Sequence, residues 1–157
     1  MQIQVIAVGK IKEDYLKRGI DDYKKRLSKY TGVKIVEVAE EDIAARPDYE
    51  VKAKEAQKLL KYLVGRDSWY VVALDRQGIE LSSENLAQRI ESLMVAGKSS
   101  IAFVLGGALG LDDSVVNSAD LRLSLSKLTF PHQMARFILL EQLYRSFKII
   151  RGEPYHY

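Results

Sequence analysis

Three stretches in the last third of this chain carry residue types and spacings that could do chemistry. Leu105-Gly106-Gly107-Ala108-Leu109-Gly110 follows an apolar run. Glycines placed there let a backbone approach a ligand closely, and a plain tight turn would use them equally well. Ser124, Ser126, Lys127, Thr129 and His132 gather around Pro131, which raises hydroxyl or imidazole chemistry. The chain then reads Gly152-Glu153-Pro154-Tyr155-His156-Tyr157 directly behind a helical pattern. Most termini fray, and polar aromatics with a histidine are the composition expected of a terminus that is used.

Several familiar chemistries do not fit these stretches. Position 105 is leucine, so the dinucleotide pattern G-x-G-x-x-G fails, and no Walker-type phosphate loop is present. Gly107-Ala108-Leu109-Gly110 does match the G-x-x-G loop of KH RNA-binding modules. A KH loop joins two helices and is usually basic, whereas this one follows a predicted strand and carries no cation. Ser124, Ser126 and Thr129 lack the G-x-S-x-G elbow of a serine hydrolase. The only histidines, His132 and His156, have no metal-ligand spacing with the carboxylates, so no metal is expected. His132, beside Pro131, is read as a structural or cap-region histidine with backbone partners at a helix start. The absence of cysteine removes disulfides and thiolate chemistry and fits a reducing compartment.

The elements that must position these residues follow from periodicity. A chain of 157 residues suits one domain, 1–157, and 47% apolar content supports a core. Residues 2–8, 33–38, 69–74, 101–105 and 121–125 read as strands, the third and fourth as apolar runs covered on both faces. Helices are predicted over 13–30, 51–63, 83–96 and 132–148, with a short one after Asp112 or Asp113. Ser82 is a candidate cap, Asp75-Arg76-Gln77-Gly78 a turn, and 40–49 a polar loop broken by Pro47. The alternation predicts an α/β fold, a mostly parallel sheet with helices on both faces. Ligands of such sheets sit beyond the carboxyl ends of the strands. That rule selects the loops after Leu74, Leu105 and Leu125.

Net charge is +3. Lys10, Lys12, Lys17, Arg18, Lys24, Lys25, Arg26 and Lys29 crowd an early stretch, offset by Glu13, Asp14, Asp21 and Asp22. A solvated helix face and a phosphate-facing patch both stay open. No signal peptide and no apolar run of about 20 residues is found, so a soluble, cytoplasmic protein with no membrane role is expected.

The order of short motifs resembles one group. Val5-Ile6-Ala7-Val8-Gly9-Lys10 comes first, then Val104-Leu105-Gly106-Gly107 with Gly110-Leu111. Next comes Leu123-Ser124-Leu125-Ser126-Lys127-Leu128-Thr129-Phe130-Pro131-His132, then Glu141-Gln142-Leu143-Tyr144-Arg145 and Pro154-Tyr155-His156. The set is similar to the bacterial large-subunit (23S) ribosomal RNA pseudouridine-N3 methyltransferases, minimal members of the SPOUT superfamily, along essentially the whole chain. The resemblance implies a C-terminal trefoil knot, a homodimer, and S-adenosylmethionine as methyl donor. It places the donor on Leu74, Gly106, Leu125, Ser126, Lys127, Leu128, Thr129 and Phe130, the same three loops. It implies a pseudouridine of large-subunit ribosomal RNA as substrate, read within the assembled ribosome. A SPOUT enzyme of transfer RNA and a non-catalytic ribosome-binding or assembly factor remain as alternatives. One departure stands out. Tyr157 occupies the place where some relatives carry a cation, whose part would then fall to Arg151 or the partner subunit's terminal region.

Within that reading His156 suits the proton acceptor, since its ordinary pKa lies near neutrality. Tyr155 suits stacking on, or hydrogen bonding to, the base. Arg145 suits a two-pronged hold on a phosphate or a uracil carbonyl oxygen. The plainer readings are that Tyr155 packs on the last helix and that Arg145 pairs with Glu141 one turn away.

Overall fold

A computed structural model describes residues 1–155 of the chain. Ten elements alternate: β1 (Gln2–Val8), α1 (Asp14–Leu27), β2 (Gly32–Val38), α2 (Asp48–Leu60), β3 (Tyr70–Glu80), α3 (Ser83–Val95), β4 (Ser100–Leu105), α4 (Asp113–Ser118), β5 (Leu121–Ser124) and α5 (His132–Ile150). The five strands form one sheet in the order β2-β1-β4-β3-β5, every pairing parallel. Successive side chains of a strand point to opposite faces, and both faces are apolar here. Ile3, Val5 and Ala7 of β1 meet Leu16 and Ile20 of α1, Leu86 and Ile90 of α3, and Leu139, Leu140 and Leu143 of α5. Ile6 and Val8 meet Ala56 and Leu59 of α2 and Val115 of α4. Helices therefore cover both faces, as the near-continuous apolar strands require.

Local chemistry sets the helix starts. The Ser82 hydroxyl accepts from the Asn85 N–H at 3.0 Å, and the Asp112 carboxylate accepts from the Ser114 N–H at 3.0 Å. These groups satisfy donors that a first helical turn leaves free. α2 begins at Asp48, three residues before the apolar pattern predicts. Pro47 there has φ −60° and serves as the cap residue, and Asp48 and Glu50 favour the positive end of the helix.

The predicted turn at 75–78 needs correction. β3 does not leave the sheet at Leu74 but runs on to Glu80 beside β5. Leu74 and Ile79 both register with Leu123, so the four residues between them bulge out of the ladder. Gly78 permits this, since a Cβ there would lie 2.5 Å from the Arg122 carbonyl oxygen. α5 extends two residues beyond the predicted end.

Candidate active site

A cleft of about 410 Å³ opens where the bulge of β3 and the loops following β4 and β5 converge. This is the carboxyl edge of the sheet, where a parallel α/β fold presents backbone groups and helix starts to a ligand.

The β4 loop forms one wall, through residues 107–111. It is a closed turn. The Gly110 N–H donates to the Gly107 carbonyl at 3.0 Å, and Gly110 takes φ +84°, a conformation that favours glycine. A Cβ on Gly106 would come within 2.5 Å of the Gly110 carbonyl carbon. The two ends of the turn thus touch backbone to backbone.

The β5 loop forms the opposite wall with Leu125, Ser126, Leu128, Thr129 and Phe130. Its own hydroxyls hold it. Ser124 Oγ donates to the Ser126 carbonyl at 3.0 Å, and Ser126 Oγ accepts from the Leu128 N–H at 3.0 Å. Both serines are thereby committed to loop geometry rather than to nucleophilic chemistry. The bulge of β3 supplies the third side. Asp75 accepts from Arg122 Nε at 2.7 Å and Nη2 at 2.6 Å, and Arg76 donates to the Thr129 hydroxyl. Leu74, Leu125, Leu128 and Phe130 make the cleft amphipathic, with Lys52, Asp75, Arg76, Asp113 and Arg122 as its charges.

Of the eight predicted cofactor residues, Leu74, Leu125, Ser126, Leu128, Thr129 and Phe130 line this cleft. Gly106 does not line it but braces the turn that does. Lys127 points away, its side chain 89% exposed and its Nζ 3.9 Å from Glu80. Sequence reasoning missed Asp75, Arg76 and Gln77, although they directly follow Leu74 at a strand end. Lys52, Asp113 and Ala135 arrive from α2, α4 and α5, and no local signal marks them.

The predicted catalytic residues gather elsewhere. Arg145 donates to Glu141 Oε1 from Nε at 3.0 Å and from Nη2 at 2.6 Å. The Tyr155 hydroxyl donates to the same oxygen at 3.2 Å and lies 3.2 Å from the Tyr23 hydroxyl. Its ring meets Tyr144 edge-on at 4.9 Å and sits 4.8 Å from the Arg145 guanidinium. Burial, then the Tyr23 hydroxyl and Glu141, push the Tyr155 phenol up. Both plainer readings, the Arg145–Glu141 pair and the packing of Tyr155 on the last helix, are present, and neither residue lines the cleft of its own chain. His156 and Tyr157 lie outside the described residues.

At the start of α5, His132 is half-buried, and its Nε2 is buried with no hydrogen-bond partner among the described residues. Burial lowers its pKa, with Arg136 and Lys12 adding to that and Glu40 opposing it. Arg136, 1% exposed, pairs with Glu37 at 2.5 Å and donates to the Gly9 carbonyl at 2.9 Å. It fastens the start of α5 to the carboxyl end of β1. Among the described residues no helix is long and apolar enough to cross a membrane, and no group of three or more His, Cys, Asp or Glu could hold a metal.

A five-stranded parallel sheet with an amphipathic cleft at its carboxyl edge is an α/β arrangement able to hold a small ligand there. A family profile described as "Predicted SPOUT methyltransferase" matches residues 1–156, and the chain belongs to the SPOUT methyltransferase family, enzymes that use a methyl donor. Its relatives include a protein from Acetivibrio thermocellus, 52% identical over 160 residues and matched over 99% of both chains, named "Ribosomal RNA large subunit methyltransferase H". A Clostridioides difficile protein of the same name is 50% identical, again over 99% of each. Among solved structures, a "probable methylase family protein" from Haemophilus influenzae superposes with a TM-score of 0.60 at 14% identity, covering 99% of this chain and 70% of that one. A "Probable Methyltransferase" from Bordetella pertussis gives 0.57 at 15%, covering 92% and 95%. These two share the fold.

Proposed function

We propose that this protein transfers a methyl group from S-adenosylmethionine to N3 of a pseudouridine in large-subunit ribosomal RNA. It acts on the assembled ribosome, as a homodimer, in the cytoplasm. The observation that carries this reading is the cleft itself, formed at the three predicted loops in a chain whose full-length relatives bear the ribosomal RNA methyltransferase name. The family supports a trefoil knot in the C-terminal half.

The cleft suits the donor. Leu74, Leu125, Leu128 and Phe130 offer apolar contact to a nucleoside, and the closed 106–110 turn offers close-packed backbone. The charges of the lining are mixed, with Asp75 held by Arg122, Asp113 as a second carboxylate and Lys52 and Arg76 as cations, which suits a ligand carrying charges of both signs. S-adenosylmethionine supplies an electrophilic methyl on a sulfonium.

The chain's own residues must then align the acceptor and remove its N3 proton, and alignment alone is worth several kcal/mol of barrier. His156 takes that proton, Tyr155 stacks on the base, and Arg145, oriented by Glu141, holds a phosphate or carbonyl oxygen. Arg151 or the partner subunit's terminal region supplies the cation that Tyr157 replaces.

The placement of Arg145 favours two subunits per site. Ala135, at the start of α5, lines the cleft, and Arg145 lies ten residues further on, about 15 Å along the helix axis at 1.5 Å per residue. Tyr155 folds back to Arg145 rather than to the cleft. The tail of one subunit therefore serves the cleft of the other.

The test is transfer of labelled methyl to intact ribosomes, free ribosomal RNA and transfer RNA in parallel. Label in a pseudouridine of large-subunit RNA, seen only with ribosomes, is expected. Label in transfer RNA overturns the substrate. Failure to bind S-adenosylmethionine leaves a non-catalytic ribosome-binding factor.

A further inference from the structure

The glycine wall of the cleft rests on a buried carboxyl group that the proposed mechanism does not use. Glu55 lies on the inner face of α2 and is 4% exposed. Its Oε2 accepts from the Glu41 N–H at 3.0 Å. Its Oε1 is buried and has no hydrogen-bond partner among the described residues. A Cβ on Gly107 would stand 3.2 Å from that oxygen and 3.1 Å from Val8 Cγ1. Gly107 thus lies directly against both groups.

A buried carboxyl oxygen without a partner is destabilising, and native proteins hold few of them. Burial pushes the Glu55 pKa up, against the pull of the Glu41 N–H and of Lys58. A leucine would fill the space without this penalty, though it would take the acceptor from the Glu41 N–H. Packing alone does not account for the residue. Its neighbour does. Gly107 opens the 107–111 wall, and the close approach of Gly106 to Gly110 holds the two ends of the turn together. The tie to Glu41 gives the carboxyl group one placement, so its free oxygen and Val8 form a fixed seat under the turn.

We propose that Glu55 is a positioning residue for the methyl-donor site, setting the height at which the 106–110 turn meets the donor. This rests on the reading of the cleft as the S-adenosylmethionine site. Glutamine has the same reach and can accept from Glu41, whereas aspartate is one methylene short and alanine leaves a void.

Binding of S-adenosylmethionine by calorimetry, ribosome methylation kinetics and thermal melting test this in the full-length protein and in Glu55→Gln, Glu55→Asp and Glu55→Ala. Alanine and aspartate should raise the donor Kd and KM about tenfold or more, the scale of a small misplacement in a site. With donor saturating, kcat should stay within about threefold, the split that marks lost ground-state binding. Glutamine should restore donor affinity. Unchanged donor affinity in Glu55→Ala, or a fall in melting temperature with no change in KM, overturns the assignment. If the alanine variant does not fold, the glutamine–aspartate pair decides, and equal affinities in the two overturn it. Absence of donor binding in the unaltered protein overturns the reading of the cleft and this inference with it, before any variant is made.

Discussion

Single residues here are constrained by what lies within a few ångströms of them. Gly106, like Gly78, is a sharp case, because the atoms that would meet its Cβ are backbone and cannot rotate away. Gly106→Ala should destabilise the protein by about 1–3 kcal/mol, the range for an overpacked site. It should also weaken S-adenosylmethionine binding by displacing the Gly107–Gly110 turn. Denaturant midpoints and calorimetry check both effects, and an unchanged midpoint would show that the backbone gives way more easily than the contact suggests. His132 makes a prediction in pH. Burial holds its imidazole below the ordinary value of 6.5, so the folded state favours the neutral form. The corresponding stability is present above pH 6.5 and is lost as pH falls from there through the folded-state value. Melting temperature should therefore fall more steeply between about pH 7 and pH 5 in the natural protein than in His132→Gln, by the same linkage. Parallel curves would mean that the imidazole is not held neutral.

At the scale of elements, α5 is the member whose ends matter most, since its start borders the cleft and its end carries Arg145 and the tail. Arg136 fixes the start by pairing with Glu37 and with the last carbonyls of β1. Arg136→Met should cost about 1–3 kcal/mol by leaving the Gly9 carbonyl without its donor, while Glu37, partly exposed, turns to water. The melting temperature should drop by about 2–4 °C for each kcal/mol lost, and a drop of a degree or less would show that the pair is easily replaced. The same element shows how far a sequence carries. The Ser82 and Asp112 caps were readable because a cap is a contact between near neighbours. The start of α2 was misplaced because Pro47 and its acidic followers, rather than the apolar period, decide it. The 75–78 stretch has the composition of a turn and does bulge out of the ladder, and only the pairing of Ile79 and Glu80 with β5, more than forty residues away in sequence, brings the strand back to the sheet. The burial of Arg136 had no local sign, and neither did the packing of the Phe137 ring against Gly19 of α1. Two walls of the cleft could be read from strand ends. Lys52, Asp113 and Ala135 could not, because they come to it by tertiary packing.

The whole molecule raises the question of which subunit's tail serves which cleft. Within one chain, Tyr155 and Arg145 bind each other and Glu141, about 15 Å along α5 from the cleft by the helical rise. Removal of residues 155–157 should leave folding and S-adenosylmethionine binding intact and abolish methylation, because Tyr155, the described residue of that tail, lines no wall of the cleft in its own chain. If the tail works across a two-fold axis, each site draws one half from each subunit, and defects in different halves can complement. The tail-truncated protein and Gly106→Ala, assayed at a donor concentration too low to load the weakened cleft, should regain activity when mixed under conditions that exchange subunits. A mixed dimer holds one sound cleft facing one sound tail. Random exchange makes about half of the dimers mixed with one working site of two, so about a quarter of full activity should return. A tail that served its own cleft would give no recovery at any mixing ratio, because no subunit in the mixture would hold both halves. Recovery near a quarter, appearing at the rate of subunit exchange, places the composite site at the dimer interface.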